Sequence, residues 1–199
     1  MIRLFTIFCK LNFKKLSAKD IFLRAMEEFS SKKIPLLKLA CPNCGAKNPS
    51  WSYHDSYSRS LISYENKAVV IDTIDIPRII CSSCKHTHAI LPEIIIPFNS
   101  HSLLFILSVL KDHFLTDATV TLLCEKYQIS ISALYRWKEL LITHKRLWLG
   151  VIENIYKDMA SFLSSIPNLN TSLDLFNFFR ENNYSFLQSA GKTAHFSSA

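Results

Sequence analysis

Four of the six cysteines form two pairs of identical spacing, Cys41-Pro-Asn-Cys44 and Cys81-Ser-Ser-Cys84, with 36 residues between the pairs. A two-residue gap lets one tight turn present both sulfurs to a single ion. Pro42 presets that turn, and Gly45 supplies the positive φ that brings backbone amides near the sulfurs. Two such knuckles offer four thiolates, the tetrahedral soft-donor set of a structural metal site. A redox CxxC would open a helix at a strand end, whereas these pairs sit on segments that read as β-hairpins. An iron–sulfur cluster also takes four cysteines, but the spacing points first to Zn2+. Four thiolates leave no open position for water, so such a zinc is structural and its binding is folding energy for a small ribbon. Lys85 stands where a glycine often follows the second pair. His86 and His88 lie close by but read as strand or surface residues, because four cysteines already close a tetrahedron. Cys9 and Cys124 have no spaced partner and read as ordinary buried residues.

A second chemistry lies in the segment running from Thr119 to Lys138. Val120, Leu123, Cys124 and Tyr127 recur as the buried stripe of one helix, Ile129 plugs a turn, and Ser130 can cap a second helix. Leu134, Trp137 and Leu141 form the buried stripe of that second helix. Ser130, Ser132, Ala133, Tyr135, Arg136 and Lys138 are left outward or half-outward, with Ile131 beside them. A helix presented this way can enter a DNA major groove, its hydroxyls and cations meeting phosphates and base edges. Gln128 falls where many such turns place glycine, so the turn must differ or carry strain.

The elements that position these residues follow from periodicity. Residues 1–40 read as a short strand and an amphipathic helix with Ile21, Phe22, Ala25, Met26 and Phe29 on one face, ended by Pro35. Residues 41–98 read as the β-ribbon, with strands over Ser52–Ser63, Ala68–Ile76 and His88–Leu91. Residues 100–146 read as the helix-turn-helix region, opened by a helix through Leu103, Leu104, Leu107, Leu110 and Phe114 that Ser100 or Ser102 caps. Residues 147–199 read as a helical tail, with helices over 147–162 and 173–179 around the break at Pro167. The fold class is therefore α+β, a small β zinc ribbon followed by an all-α helix-turn-helix.

Composition narrows the function. The chain of 199 residues is 49% hydrophobic and carries a formal net charge of +7, so it can bury a core and suits a polyanionic partner. The excess sits mainly in residues 1–40, with nine Lys/Arg against three acids, and residues 101–150 hold six against four. No run reaches the roughly 20 apolar residues of a membrane span. The short apolar N-terminus, followed by Lys10, Lys14 and Lys15, is no signal peptide, so the expected location is the cytoplasm. A nuclease would need three carboxylates on two metal ions. After the helix pair only Glu153, Asp158, Asp174 and Glu181 remain, scattered, so no catalysis and no small-molecule substrate are expected.

Several stretches together resemble a known family. They are Cys41-Pro-Asn-Cys44-Gly45, Tyr57-Ser-Arg59, Ile76-Pro-Arg78 running into Cys81-Ser-Ser-Cys84, Thr87-His88-Ala89-Ile-Leu91-Pro92, and Ile96-Pro97. The family is an uncharacterised bacterial one, a domain of unknown function whose members are often described as transposase-like. The resemblance covers roughly residues 15 to 150. Ile129-Ser130 through Leu134-Tyr135-Arg136-Trp137 is also similar to the helix-turn-helix of insertion-sequence transposases. The resemblance implies a zinc ribbon plus a helix-turn-helix and carries no known activity with it. The leading expectation, from the helix-turn-helix in a basic chain, is a non-catalytic DNA-binding protein of mobile-element origin with double-stranded DNA as partner. A protein-interaction module and an inactive transposase remnant are the alternatives. A homodimer through the 147–162 helix is a further expectation.

Overall fold

The computed structural model describes residues 3–7, 16–31, 40–92, 94–142 and 193–195. In chain order the elements are β1 (Arg3–Ile7), α1 (Ala18–Ser31), β2 (Trp51–Glu65), β3 (Ala68–Cys81) and β4 (Thr87–Pro92). They continue with α2 (Leu103–Leu115), α3 (Val120–Tyr127), α4 (residues 131–142) and β5 (Thr193–His195). The expected helices over 147–162 and 173–179, and Cys9, lie outside the described residues.

A long hairpin, β2–β3, organises the rest. Its two strands close at Asn66 and Lys67, both left-handed at φ 51° and 65°. Two successive positive φ values make the turn whose twist matches that of paired strands. Asn66 suits it, and Lys67 tolerates it. The strands run longer than their composition suggests: β3 continues through Pro77 to Cys81. Pro77 lies just before the point where β4 begins to pair with Arg78–Ile80, so the proline precedes the central part of the strand. The sheet order is β2-β3-β4-β1-β5, antiparallel among β2, β3 and β4, with β1 and β5 added in parallel.

Because strand side chains alternate, the hairpin serves two cores. On one face Tyr57, Leu61, Ile74 and Ile76 join Ala89 and Leu91 of β4, Ile94, Ile95, and Ile21 and Phe22 of α1. On the other face Ile62, Tyr64 and Val69, near the hairpin tip, pack against α2, α3 and α4. Ribbon and helices are thus joined through the tip. Ile62 donates its N–H to the Ser100 carbonyl and accepts from the Ser102 N–H, 2.8 Å each.

α1 opens with a reciprocal cap in which the Asp20 N–H donates to Ser17 Oγ, 3.0 Å, and the Ser17 N–H donates to Asp20 Oδ2, 3.3 Å. Its predicted stripe is oriented inward, with Ile21, Phe22 and Ala25 buried and Met26 and Phe29 half-buried. α2 departs from a simple stripe. Leu103, Phe105, Ile106, Leu107, Val109 and Leu110 are all buried, Leu104 is half-buried and Phe114 is exposed. A helix apolar nearly all round is a core helix, and the other helices gather on it. Ser102 caps it by accepting from the Phe105 N–H at 3.2 Å. Among the described residues no helix is long and apolar enough to cross a membrane.

Candidate metal centre and the adjoining helix pair

Each cysteine pair is a knuckle of the same construction. The Gly45 N–H donates to the Cys41 carbonyl at 2.8 Å, and the Cys41 N–H donates to Ala46 at 2.9 Å. In the second knuckle the Lys85 N–H donates to the Cys81 carbonyl at 2.9 Å, and the Cys81 N–H donates to His86 at 3.0 Å. The fifth residue is left-handed in both, Gly45 at φ 72° and Lys85 at φ 58°. Lys85 therefore occupies the glycine conformation without being glycine. In each pair the first cysteine is buried, Cys41 and Cys81, and the second lies further out, Cys44 exposed and Cys84 half-buried.

The four sulfurs lie within 4.8 Å of one another. Cys41 and Cys84 are 3.7 Å apart, far beyond the roughly 2.05 Å of a disulfide. A tetrahedral ion with metal–sulfur bonds of about 2.3 Å requires sulfurs about 3.8 Å apart, so the cluster fits a metal ion. Acid–base behaviour divides the set. Burial pushes the Cys41 thiol up to about 12. Burial also works against ionisation of Cys84, but hydrogen bonds from the His86 backbone, Asn43 and the other thiols prevail and bring it down to about 6.

The residues around the knuckles hold the ribbon's shape. Arg78 makes a two-pronged ion pair with Asp55 and lies over the Tyr57 ring. The Arg59 guanidinium donates to the Asn99 carbonyl, fastening β2 to the segment that leads into α2. Of the two histidines, His86 is exposed and His88 is wholly buried in β4, with Nε2 3.5 Å from Cys41 Sγ. His88 is a strand residue as expected, but it touches the cluster, which spacing alone did not reveal.

The helix pair is ordered as its stripes imply. Leu123, Tyr127, Leu134, Trp137 and Leu141 are buried, with Val120 and Ile129 packed against them. Cys124 is only half-buried, since the first helix meets the core chiefly through Leu123 and Tyr127. Gln128 takes the left-handed cap at φ 52° and ψ 45°, so the turn keeps its usual shape with a strained residue in glycine's place. The Ile129 N–H donates to the Cys124 carbonyl at 3.0 Å. Trp137 lies at the centre, 4.9 Å from the His101 ring and 6.0 Å from Phe105 between centroids.

Of the six residues expected on the outer face, Ser130, Ser132, Tyr135 and Arg136 are exposed and Lys138 is half-buried. Ala133 is a correction. It is 8% exposed, because the first turn of α4 leans into the core beside Leu134. The Ser130 hydroxyl caps α4 by accepting from the Ala133 N–H at 3.2 Å and pairs with Ser132 Oγ at 2.9 Å. Lys138 lays its ammonium over the rings of Phe114 and Tyr135, 5.8 and 5.9 Å from their centroids. Among the described residues no carboxylate forms an ion pair with Arg136 or Lys138.

Ribbon and helices together define the class, a mixed α+β chain in which a four-cysteine ribbon is packed onto a helix-turn-helix. Residues 41–137 match a family described as a domain of unknown function, DUF6431. The match starts at Cys41, the first cysteine of the cluster, and ends at Trp137 of α4. No curated protein and no solved structure matches the chain.

Proposed function

We propose that this chain is a non-catalytic, double-stranded-DNA-binding protein whose ribbon is held by one Zn2+ on Cys41, Cys44, Cys81 and Cys84. The supporting observation is the outer face of α4. Ser132, Tyr135 and Arg136 project to solvent from a helix fixed at its centre by Trp137, and no acid neutralises Arg136 or Lys138 among the described residues. A rigid helix with unneutralised cations and hydroxyls is what phosphate and base-edge contact needs. The zinc assignment rests on the donor chemistry: four cysteine sulfurs within 4.8 Å of one another offer a closed set with no position for water. The ribbon then supports the helices through the hairpin tip and performs no chemistry. The proposed setting is the cytoplasm, and the proposed origin is a mobile element, as a regulator or the recognition part of a transposition system.

A second reading has its own observation. Ile131, Tyr135 and Ile142 of α4, Leu122 of α3 and Phe114 of α2 are all large apolar side chains at least 41% exposed. Such a surface suits a protein partner as well as the methyl groups of thymine. Hydrogen exchange on the zinc-loaded chain with and without duplex DNA tests the proposal. Protection over residues 130–138 supports DNA docking by α4, and unchanged exchange there with saturating duplex sinks it.

A further inference from the structure

The Thr87-His88-Ala89-Ile90-Leu91-Pro92 segment puts one polar side chain where apolar ones are the rule. Ala89, Ile90 and Leu91 are no more than 1% exposed, and His88 among them is 0% exposed. Its ring meets Trp51 edge to face, with centroids 5.4 Å apart and planes at 86°. Trp51 is in turn paired in register with Cys81, and His88 with Ile79. The histidine is thereby held behind the knuckles by its pairing with β3 and by the Trp51 ring from β2. Its Nε2 faces Cys41 Sγ at 3.5 Å, and Cys41 is itself 1% exposed. A side chain arriving from the second knuckle's strand thus reaches the buried cysteine of the first.

His88 stands behind the ligands. Among the described residues the candidate ligand atoms lying mutually within 4.8 Å are the four sulfurs. A divalent ion bound by four thiolates leaves two net negative charges, partly in the interior, where water cannot solvate Cys41. A thiolate has only lone pairs to offer, so the nitrogen facing it must carry the hydrogen. Hydrogen bonds to ligating atoms orient them and tune the metal.

We propose that His88 is a positioning residue of the metal centre: through Nε2–H it donates to the Cys41 thiolate and holds that sulfur for coordination. This rests on the metal reading of the four cysteines. The test uses the full chain with Co2+ as optical probe and Zn2+ by competition. His88→Phe keeps an aromatic ring against Trp51, at a somewhat larger volume, but removes the donor, and His88→Gln restores an N–H. The expected result for His88→Phe is about 10–100-fold weaker metal binding, the usual effect of losing such a partner. The thiolate-to-cobalt band should also shift to lower energy, and both effects should be reversed in part by Gln. A purely structural histidine would leave that band in place. Wild-type affinity and an unshifted band in His88→Phe overturn the proposal while leaving the metal reading intact. A wild-type chain that binds neither ion overturns the metal reading instead. If the variants do not fold, nitrogen-15 NMR of the zinc-loaded wild type decides. Protonated Nε2 supports the proposal, and an Nδ1–H tautomer or a metal-bound Nε2 overturns it.

Discussion

The two knuckles share a left-handed fifth residue, yet one has Gly45 and the other Lys85, and that asymmetry can be tested by exchange. A residue with a Cβ in the left-handed region costs roughly 1–2 kcal/mol. Replacing glycine also returns roughly 0.4–1 kcal/mol by restricting the unfolded chain. At Gly45 no third contribution arises, because an added Cβ meets nothing within 4 Å. Gly45→Ala should therefore destabilise the ribbon by about 1 kcal/mol, and Lys85→Gly should stabilise it by a similar or somewhat smaller amount. Because metal binding and ribbon folding are coupled, 1 kcal/mol appears as about a fivefold change in apparent Zn2+ affinity. The assay is competition for Zn2+ against a chromophoric chelator, with thermal melting of the loaded chains alongside. Equal affinities for Gly45→Ala and wild type would refute the strain argument, as would a loss of affinity in Lys85→Gly.

Other expectations concern the helices. Trp137→Ala should cost about 3–5 kcal/mol in denaturant unfolding, since a fully buried indole leaves a cavity at the junction of α2 and α4; a loss below 1 kcal/mol would mean that the site collapses freely. Gln128→Gly should raise the melting temperature by relieving the left-handed cap at φ 52°, and an unchanged or lower value would refute that. Burial, and after it Arg136, holds the His101 imidazole below its usual 6.5, so the unfolded chain takes up the proton first. The stability contributed by neutral His101 is complete above about pH 6.5 and is lost as pH falls toward and through the folded value. His101→Gln should flatten that part of the stability–pH curve, and a curve of unchanged slope would place the dependence elsewhere.

Much of the fold could be read from the chain because its strongest signals are local. The CxxC pairs, the stripe Leu134, Trp137 and Leu141, and the Ser102 and Ser130 caps each depend on spacings of a few residues, and each is found in place. What escaped depends on contacts between distant segments. His88 meets Cys41 only because β4 returns beside β3, and no spacing along the sequence encodes that approach. Ala133 faces inward because of how α4 leans on α2 and α3, although its position in the helical repeat looked half-outward. The tight turn at Asn66 and Lys67 had a partial signal in its asparagine, blurred by a lysine where glycine is usual. Cluster geometry likewise fits a metal more readily than it names one, so the choice of zinc still rests on thiolate chemistry.

The most direct measurement of the proposed function is fluorescence anisotropy of the zinc-loaded chain on random duplex DNA across a salt series, alongside Arg136→Ala/Lys138→Ala. Logarithmic affinity should fall steeply with the logarithm of salt concentration. The double variant should bind more weakly and lose up to about 1.8 from the slope, near 0.9 for each phosphate contact removed. Binding that ignores salt, or a folded and metal-loaded wild type that does not bind duplex, would contradict DNA recognition by α4 and favour a protein partner on its apolar surface.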